Sequence, residues 1–473
     1  MTSVLIGIHT ASVLGLAVYG FLGFFTLWKY WRHRTDEFPL PLTDRDKLPP
    51  VTVQLPVYNE REVIQRLIDA VCALEYPPER LEIQVLDDST DETTHIAADA
   101  ISCYVARGVE IVLLHRAARS GFKAGALADG LKSAHGELLA IFDADFVPEP
   151  DFLLNTVPHF LEDQSLGAVQ ARWGHLNDGS YLTGAQAIAL DKHFAVEQLI
   201  RHRADYFPKF NGAAGVWRKS AVVDSGGWQA DTVCEDLCLS TRAVLRGWRL
   251  HFANDVVAPA ELPATILAYK TQQSRWTMGA TQCLIKYGWA IWRADDKPLL
   301  ARLYALFSMS AYLTNAFLLA LLLVQLPLLL MGARPPSWLY VFSLLGLGQP
   351  ILFVLAQQAL YRDWPKRLRN FPTLLLIAIG ITPSNTYAVI QALSRNEFTF
   401  ARTPKGSSFS YRLSPSRMLL VEAAFLVYCV LTLCLALIVG NSGPVFLLSF
   451  GTLGFGYVLL LSIREARLFS TNP

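Results

Sequence analysis

The sequence predicts an α/β domain on a mainly parallel sheet, set between membrane-spanning α-helices in a multi-pass arrangement. Three observations predict it. Short β-rich runs alternate with helical stretches from residue 51 onward. Long apolar runs flank that region on both sides. Only 17% of the 473 residues are charged against 52% hydrophobic, too apolar a balance for an ordinary soluble chain. The net charge of +1 carries no electrostatic footprint for nucleic acid, so none is expected as a partner.

The first apolar run covers 4–28 and ends in Lys29, Arg32 and Arg34. Its length suits a bilayer, and the basic flank puts its C-terminal side in the cytoplasm. A cleaved signal peptide fits less well, because no Lys or Arg precedes the run and the run is too long. Segments 1–34, 35–300 and 301–473 are thus expected as anchor, cytoplasmic domain and C-terminal membrane region. Within the last, 311–331, 337–359, 418–440 and 443–463 read as spans. Segment 371–393 differs. Arg362, Lys366, Arg367 and Arg369 precede it, and Arg395, Arg402, Lys405, Arg412 and Arg417 follow it. One span cannot place both flanks inside. With Gly380, Pro383, Ser384 and Asn385 in its middle, it is expected to bend near Pro383 as an interfacial or re-entrant element. The N-terminus then lies outside, and Arg464 and Arg467 lie inside. The residues after Ile463 are too few to fold a cyclic-di-GMP-binding domain, so none is expected there.

In the middle segment, strands are expected at Val51–Val57, Leu81–Leu86, Val109–Leu114, Leu138–Phe142 and Leu166–Ala171. Helices are expected at Arg61–Leu74, Glu92–Ala106, Gly121–Ala134 and Asp151–Leu161. Such alternation gives a parallel sheet covered on both faces, with ligands at the carboxyl ends of its strands. Polar residues gather there: Tyr58, Asn59 and Glu60 after the first strand, Asp87 and Asp88 after the second, Asp143 and Asp145 after the fourth. Carboxylates crowded into one crevice repel unless a cation or a donor-rich ligand joins them. Neither GxGxxG after the first strand nor GxxxxGK[ST] is present, which argues against dinucleotide and P-loop chemistry. The seven cysteines show no zinc-ligand spacing.

Asp143 and Asp145 stand two apart, and on an extended backbone both would point one way. They could share Mg²⁺ or Mn²⁺ with substrate phosphates, neutralising a leaving diphosphate. A solvated turn before Asp151 is the plainer account. Asp87 and Asp88 could bind base or ribose, or merely precede a helix cap. Lys123 sits near a helix start, where free N–H groups suit a diphosphate; otherwise it is a surface lysine. Glu235 and Asp236 open an expected helix over Asp236–Arg246. They either complement its dipole or supply a general base, with Asp236 taking a proton from an acceptor hydroxyl. One base with no second carboxylate as nucleophile implies inversion. Gln272, Arg275 and Trp276 share one helical face, where guanidinium suits phosphate and indole suits a sugar ring or a membrane interface.

Together, Asp87-Asp88, Asp143-Ala144-Asp145, Glu235-Asp236 and Gln272-Gln273-Ser274-Arg275-Trp276 resemble, in order, the signature of processive family 2 glycosyltransferases, the group of cellulose, chitin and hyaluronan synthases. The stretches Phe210–Arg218, Gly226–Trp228 and Pro259–Pro263 resemble the cellulose-synthase-like A glucomannan and mannan synthases and their bacterial relatives. The resemblance implies a GT-A catalytic domain and an inverting, metal-dependent transfer from a nucleotide sugar to a growing β-linked polysaccharide (glucan, mannan or glucomannan). The product would pass through a channel of spans in the plasma or inner membrane. Tyr58 and Glu60 would meet the base, Lys123 and Arg275 the diphosphate, and Trp276, with Glu235, the acceptor. Phe400, Thr403 and Lys405, within 398–412, resemble a gating loop, although Arg402 replaces its usual Val and Cys234 the usual Thr before the Glu-Asp pair. UDP-glucose and GDP-mannose both stay open as donors. A non-processive lipid glycosyltransferase, of ceramide or sterol type, is the alternative. A non-catalytic scaffold is disfavoured by the intact Asp143, Asp145 and Asp236.

Overall fold

The computed structural model describes residues 1–36, 39–40, 44–394 and 418–470. Seven strands form one sheet in the order β3-β2-β1-β4-β6-β5-β7. They are β1 (Val51–Val57), β2 (Leu81–Asp87), β3 (Ile111–His115), β4 (Leu138–Ile141), β5 (Leu166–His175), β6 (Gly215–Arg218) and β7 (Arg249–Ala260). Only β6 runs antiparallel to its neighbours β4 and β5. The five strands expected from the alternation all form. β5 runs on to His175, because β7 continues to pair with it as far as Ala260.

β1 is central and buried on both faces, as in a covered parallel sheet. Val53, Leu55 and Val57 join one core with Ile64, Leu67 and Ile68 of helix Ile64–Cys72 and with Ala97 and Ile101 of helix Thr93–Val105. Thr52 and Gln54 alternate with them and hydrogen-bond across the ladder. Thr52 donates to Glu82 at 2.5 Å, and the Gln54 amide donates to Gln84 at 3.0 Å. Pro56 lies beyond the end of the β1–β4 ladder at Gln54, where its missing N–H costs no β4 hydrogen bond. Helix Phe122–Ser133 covers the second face closely. A Cβ added at Gly130 would come within 2.7 Å of Gln54 and Leu86.

The second core does not stop at the sheet domain. Leu127, Phe194, Trp217 and Leu239 share it with Ile291, Ala301, Tyr304 and Leu352, the last three from helices long and apolar enough to cross a membrane. There are five such helices among the described residues: Thr2–His33, Leu299–Leu330, Ser337–Leu360, Met418–Ile438 and Val445–Arg467. Each overlaps one of the five expected spans. Trp364–Gly380 and Thr382–Leu393 form a pair bent by 47°, so the expected bend in 371–393 is present, at Ile381. The second half of the pair packs on helix Ile266–Trp292.

The expected helix at Asp151–Leu161 does not form. Turns fill the segment, and only His159–Glu162 is helical. Pro158, which has no N–H, interrupts the pattern, while Phe152, Leu153, Val157 and Phe160 still reach the core.

Candidate active site

A cleft with about 1280 Å³ of empty space, open solvent included, lies at the carboxyl ends of β1, β4 and β5. It gathers Tyr58, Glu60, Asp88, Lys123, Asp143, Asp145, Glu235, Asp236, Gln272, Arg275 and Trp276, residues spread over more than two hundred positions of sequence. The loops after β1 and β2 are clamped together. Asn59 adopts a left-handed φ of 55°, a conformation Asn tolerates. Its N–H donates to the Ser89 hydroxyl at 2.8 Å, and its side chain accepts from Thr90 N–H at 2.8 Å.

Asp87 is the expected binding residue that the cleft does not include. Its carboxylate is fully buried and accepts from Ser89 N–H, Thr94 Oγ1 and His115 Nδ1 at 2.9, 2.6 and 2.8 Å. Burial alone would raise its pKa, but these hydrogen bonds outweigh it and hold the carboxyl below its ordinary value. Asp87 therefore organises the β2 turn. Asp88 lines the cleft, gripped by Arg116 through two hydrogen bonds of 2.7 and 2.6 Å.

Asp143 and Asp145 follow β4 in a turn closed by Phe146 N–H donating to Asp143 C=O at 3.1 Å. The extended backbone expected to aim both carboxylates is absent, yet the turn still brings both residues to the cleft. Lys123 is not a free surface lysine. Its Nζ donates to Asp143 at 2.5 Å and to Gly212 C=O at 3.0 Å, and lies 3.9 Å from Glu235. Burial would lower its pKa, but the Asp143 and Glu235 carboxylates outweigh it and hold the value above that of an ordinary lysine.

Helix Glu235–Leu245 puts Glu235 and Asp236 in its first turn. Burial, reinforced by the Glu235 carboxylate and opposed by Lys123, pushes the Asp236 carboxyl up to about 7. Gly212 makes this packing possible. A Cβ there would lie 3.1 Å from the Asp236 carboxylate, at a φ of 87°. Gln272, Arg275 and Trp276 reach the cleft from helix Ile266–Trp292. That helix approaches the Glu235 helix so closely that a Cβ at Gly279 would overlap Cys234. It is tied to other helices as well. Glu465 accepts from the N–H groups of Ile266 and Leu267 at 2.6 and 3.2 Å. The buried Lys270 ammonium bonds Glu422 and Ser462 at 2.8 and 3.0 Å.

Among the described residues no three His, Cys, Asp or Glu side chains form a ready metal cage. Two carboxylates at one cleft nevertheless fit a hard cation that completes its shell with water and substrate phosphates. Phe400, Thr403 and Lys405 lie outside the described residues.

The expected set omitted Arg116, Arg119 and His175. Arg119 stacks on Tyr58, with its guanidinium carbon 3.4 Å from the ring centroid. Arg116 and His175 lie at the carboxyl ends of β3 and β5, so the rule that located the aspartates could also have located these two.

Residues 49–279 match the family described as "Glycosyltransferase like family 2". Over 286 residues the chain is 41% identical to a glucomannan 4-beta-mannosyltransferase 1 of Cyamopsis tetragonoloba, covering 59% of this chain and 54% of the relative. A glucomannan 4-beta-mannosyltransferase 2 of Arabidopsis thaliana is 40% identical over 291 residues, with the same coverage of each chain. The chain thus spans about half the length of the curated relatives it matches. Among solved structures, a mannosyltransferase of Pyrobaculum calidifontis, in complex with GDP-Man and Mn2+, aligns with 82% of this chain and 100% of its own. Its TM-score is 0.54 at 24% identity, a likeness of fold. Residues 49–279 are therefore a glycosyltransferase family 2 domain of GT-A-like, mostly parallel fold, flanked by helices long and apolar enough to cross a membrane.

Proposed function

We propose that the chain transfers a hexose from a nucleotide sugar to a growing β-linked glycan, with inversion, and that mannose carried on GDP is the favoured donor. The mannosyl preference is supported by the named activities of the relatives at 40–41% identity. The observation that carries the chemistry is the placing of Asp236, pushed up to about 7, in one cleft with Lys123, Asp143 and Arg275. A base with a pKa near the working pH is well matched to accepting a hydroxyl proton. In this reading Asp236 takes the proton of the acceptor hydroxyl as that oxygen attacks the anomeric carbon. Lys123 and Arg275 hold the diphosphate and Gln272 the nucleotide sugar, Tyr58 under Arg119 and Glu60 receive the base, and Trp276 with Glu235 positions the acceptor. Asp143 and Asp145 would hold Mg²⁺ or Mn²⁺, which when bound neutralises the departing diphosphate.

The reading extends to the whole chain. Basic flanks support a cytoplasmic domain at 35–300, between an anchor at 1–34 and a membrane region at 301–473 through which the polymer passes. The test is a donor screen on the detergent-purified protein. Radiolabelled GDP-mannose, UDP-glucose, UDP-GlcNAc and UDP-galactose are supplied with and without Mg²⁺ or Mn²⁺, and products are sized and digested with linkage-specific β-glycanases. A cation-dependent polymer made from GDP-mannose, cut by β-mannanase and lost in Asp236→Asn, is the expected result. A single sugar attached to a lipid would sink the polysaccharide reading in favour of a lipid glycosyltransferase.

A further inference from the structure

His175 ends β5. Its side chain is only 2% exposed, yet the residue lines the cleft. Nε2 lies 2.9 Å from Oδ1 of Asp191 on helix Tyr181–Lys192. The buried Nδ1 has no hydrogen-bond partner among the described residues. A buried polar atom left unpaired disfavours folding and calls for an explanation.

The surroundings of Asp191 fix which nitrogen is unpaired. This carboxylate, itself 1% exposed, accepts from Gln357 Nε2 at 2.7 Å and from Tyr361 OH at 3.2 Å, besides His175. Gln357 is fully buried and held in turn by Arg367 at 3.2 Å. A carboxylate with these donors around it acts as an acceptor, so Nε2 of His175 carries the proton and donates it. In its neutral form the ring then presents a lone pair at Nδ1. A half-turn of the imidazole would put Cε1 in the place of Nε2 and break the Asp191 contact. Trp173, two residues earlier on β5, lines the same cleft and stands near perpendicular to Phe146 at a centroid distance of 5.3 Å. An aromatic face beside a fixed acceptor is a pattern suited to a sugar: apolar C–H face on the ring, hydroxyl to the lone pair.

We propose that His175 reads one sugar hydroxyl in the cleft, its Nδ1 accepting the hydroxyl's hydrogen bond while Asp191 fixes the ring and its tautomer. The assignment rests on the glycosyltransferase reading above and adds a specificity-determining residue to it. The hydroxyl belongs either to the donor hexose or to the acceptor glycan, and Asp191 is a positioning residue.

The test compares sugars lacking one hydroxyl at a time, in a donor series and an acceptor series, with wild type, His175→Phe and His175→Asn. In wild type, one deoxy sugar should lose about tenfold in kcat/KM, the scale of one hydrogen bond between buried partners. His175→Phe should erase the discrimination at that hydroxyl and leave it intact at the others. His175→Asn, whose amide oxygen can stand near the place of Nδ1, should restore part of it. The series in which the effect appears names the source of the hydroxyl. Unchanged discrimination at every hydroxyl in an active variant overturns the assignment, leaving His175 a strut between β5 and helix Tyr181–Lys192. If the Phe variant fails to fold, the Asn variant decides alone: full discrimination at the affected hydroxyl in wild type and a weakened one in the variant supports the assignment, and equal values overturn it. Failure of the wild type to transfer from any donor removes the glycosyltransferase reading and this assignment with it, an outcome distinct from normal transfer with unaltered discrimination.

Discussion

At the scale of single residues, Asp236 carries the sharpest expectations. Its carboxyl is pushed up to about 7 by burial and by Glu235, so its base form fills as pH rises through that value. Transfer should therefore fall as pH drops, with a midpoint near 7 in kcat/KM. The same shift acts on stability with the opposite sense. Between the ordinary carboxylate value and about 7 the folded chain binds a proton that the unfolded chain has lost, so stability declines as pH rises through that window. Asp236→Asn should thus raise the melting temperature at pH 8, by a stabilisation on the order of 1 kcal/mol or more, while abolishing transfer. Equal melting temperatures for variant and wild type at pH 8 would show that the carboxylate is not held against its charge. Most of these residues were legible in the sequence because they cluster at strand ends. In sequence Asp87 is indistinguishable from Asp88, and only the fold turns one inward to Thr94 and His115 and the other toward the cleft. His175 stayed hidden because its significance lies in an atom without a partner, which no motif records.

At the scale of elements, helix Ile266–Trp292 links the cleft to other helices. One end of it is capped by Glu465 and its Lys270 is paired with buried Glu422. Removing one member of a buried ion pair strands the other and typically costs about 3–5 kcal/mol. Lys270→Ala should accordingly lower the melting temperature of the purified protein by several degrees, and Lys270→Ala with Glu422→Ala should recover much of that loss. A double variant as unstable as the single one would argue that packing, not charge, holds the helix. Gly279 offers a second handle. Any side chain there must displace Cys234, so Gly279→Leu should move the start of the Glu235 helix and reduce kcat far more than donor affinity. Periodicity located five of the seven strands and the helices Ile64–Cys72, Thr93–Val105 and Phe122–Ser133, because alternating apolar positions report burial directly. It failed at Asp151–Leu161, where the apolar spacing of a helix occurs but Pro158 prevents regular hydrogen bonding. It also gave no sign of β7, of helix Tyr181–Lys192, or of β6, four residues long and paired between β4 and β5.

At the scale of the whole molecule, the boundary near residue 300 that composition suggests is not a boundary in packing. The second core runs from Leu127 and Trp217 through Ile291 to Ala301, Tyr304 and Leu352. A fragment covering 35–300 would expose that apolar surface, so it should aggregate or require detergent when expressed alone. A monodisperse, soluble fragment on gel filtration would contradict the shared core. Hydropathy read the apolar helices correctly and still suggested separable parts, because a hydropathy profile weighs each segment by itself and contains nothing about which segments share an interior.

The Asp191 carboxylate adds a mechanical consequence to this shared interior. It is gripped by Gln357, on a helix long and apolar enough to cross a membrane, and it grips His175 in the cleft. Two hydrogen bonds are all that separate Gln357 on that helix from His175 in the cleft. A bilayer too thin for Ser337–Leu360 would tilt that helix and one too thick would draw it upright, in either case dragging Asp191 with it and rotating the imidazole out of register. Reconstituted into phosphatidylcholines of graded acyl length, the protein should show an optimum in turnover, and His175→Phe should flatten it. In that sense the thickness of the surrounding membrane is a setting of the active site.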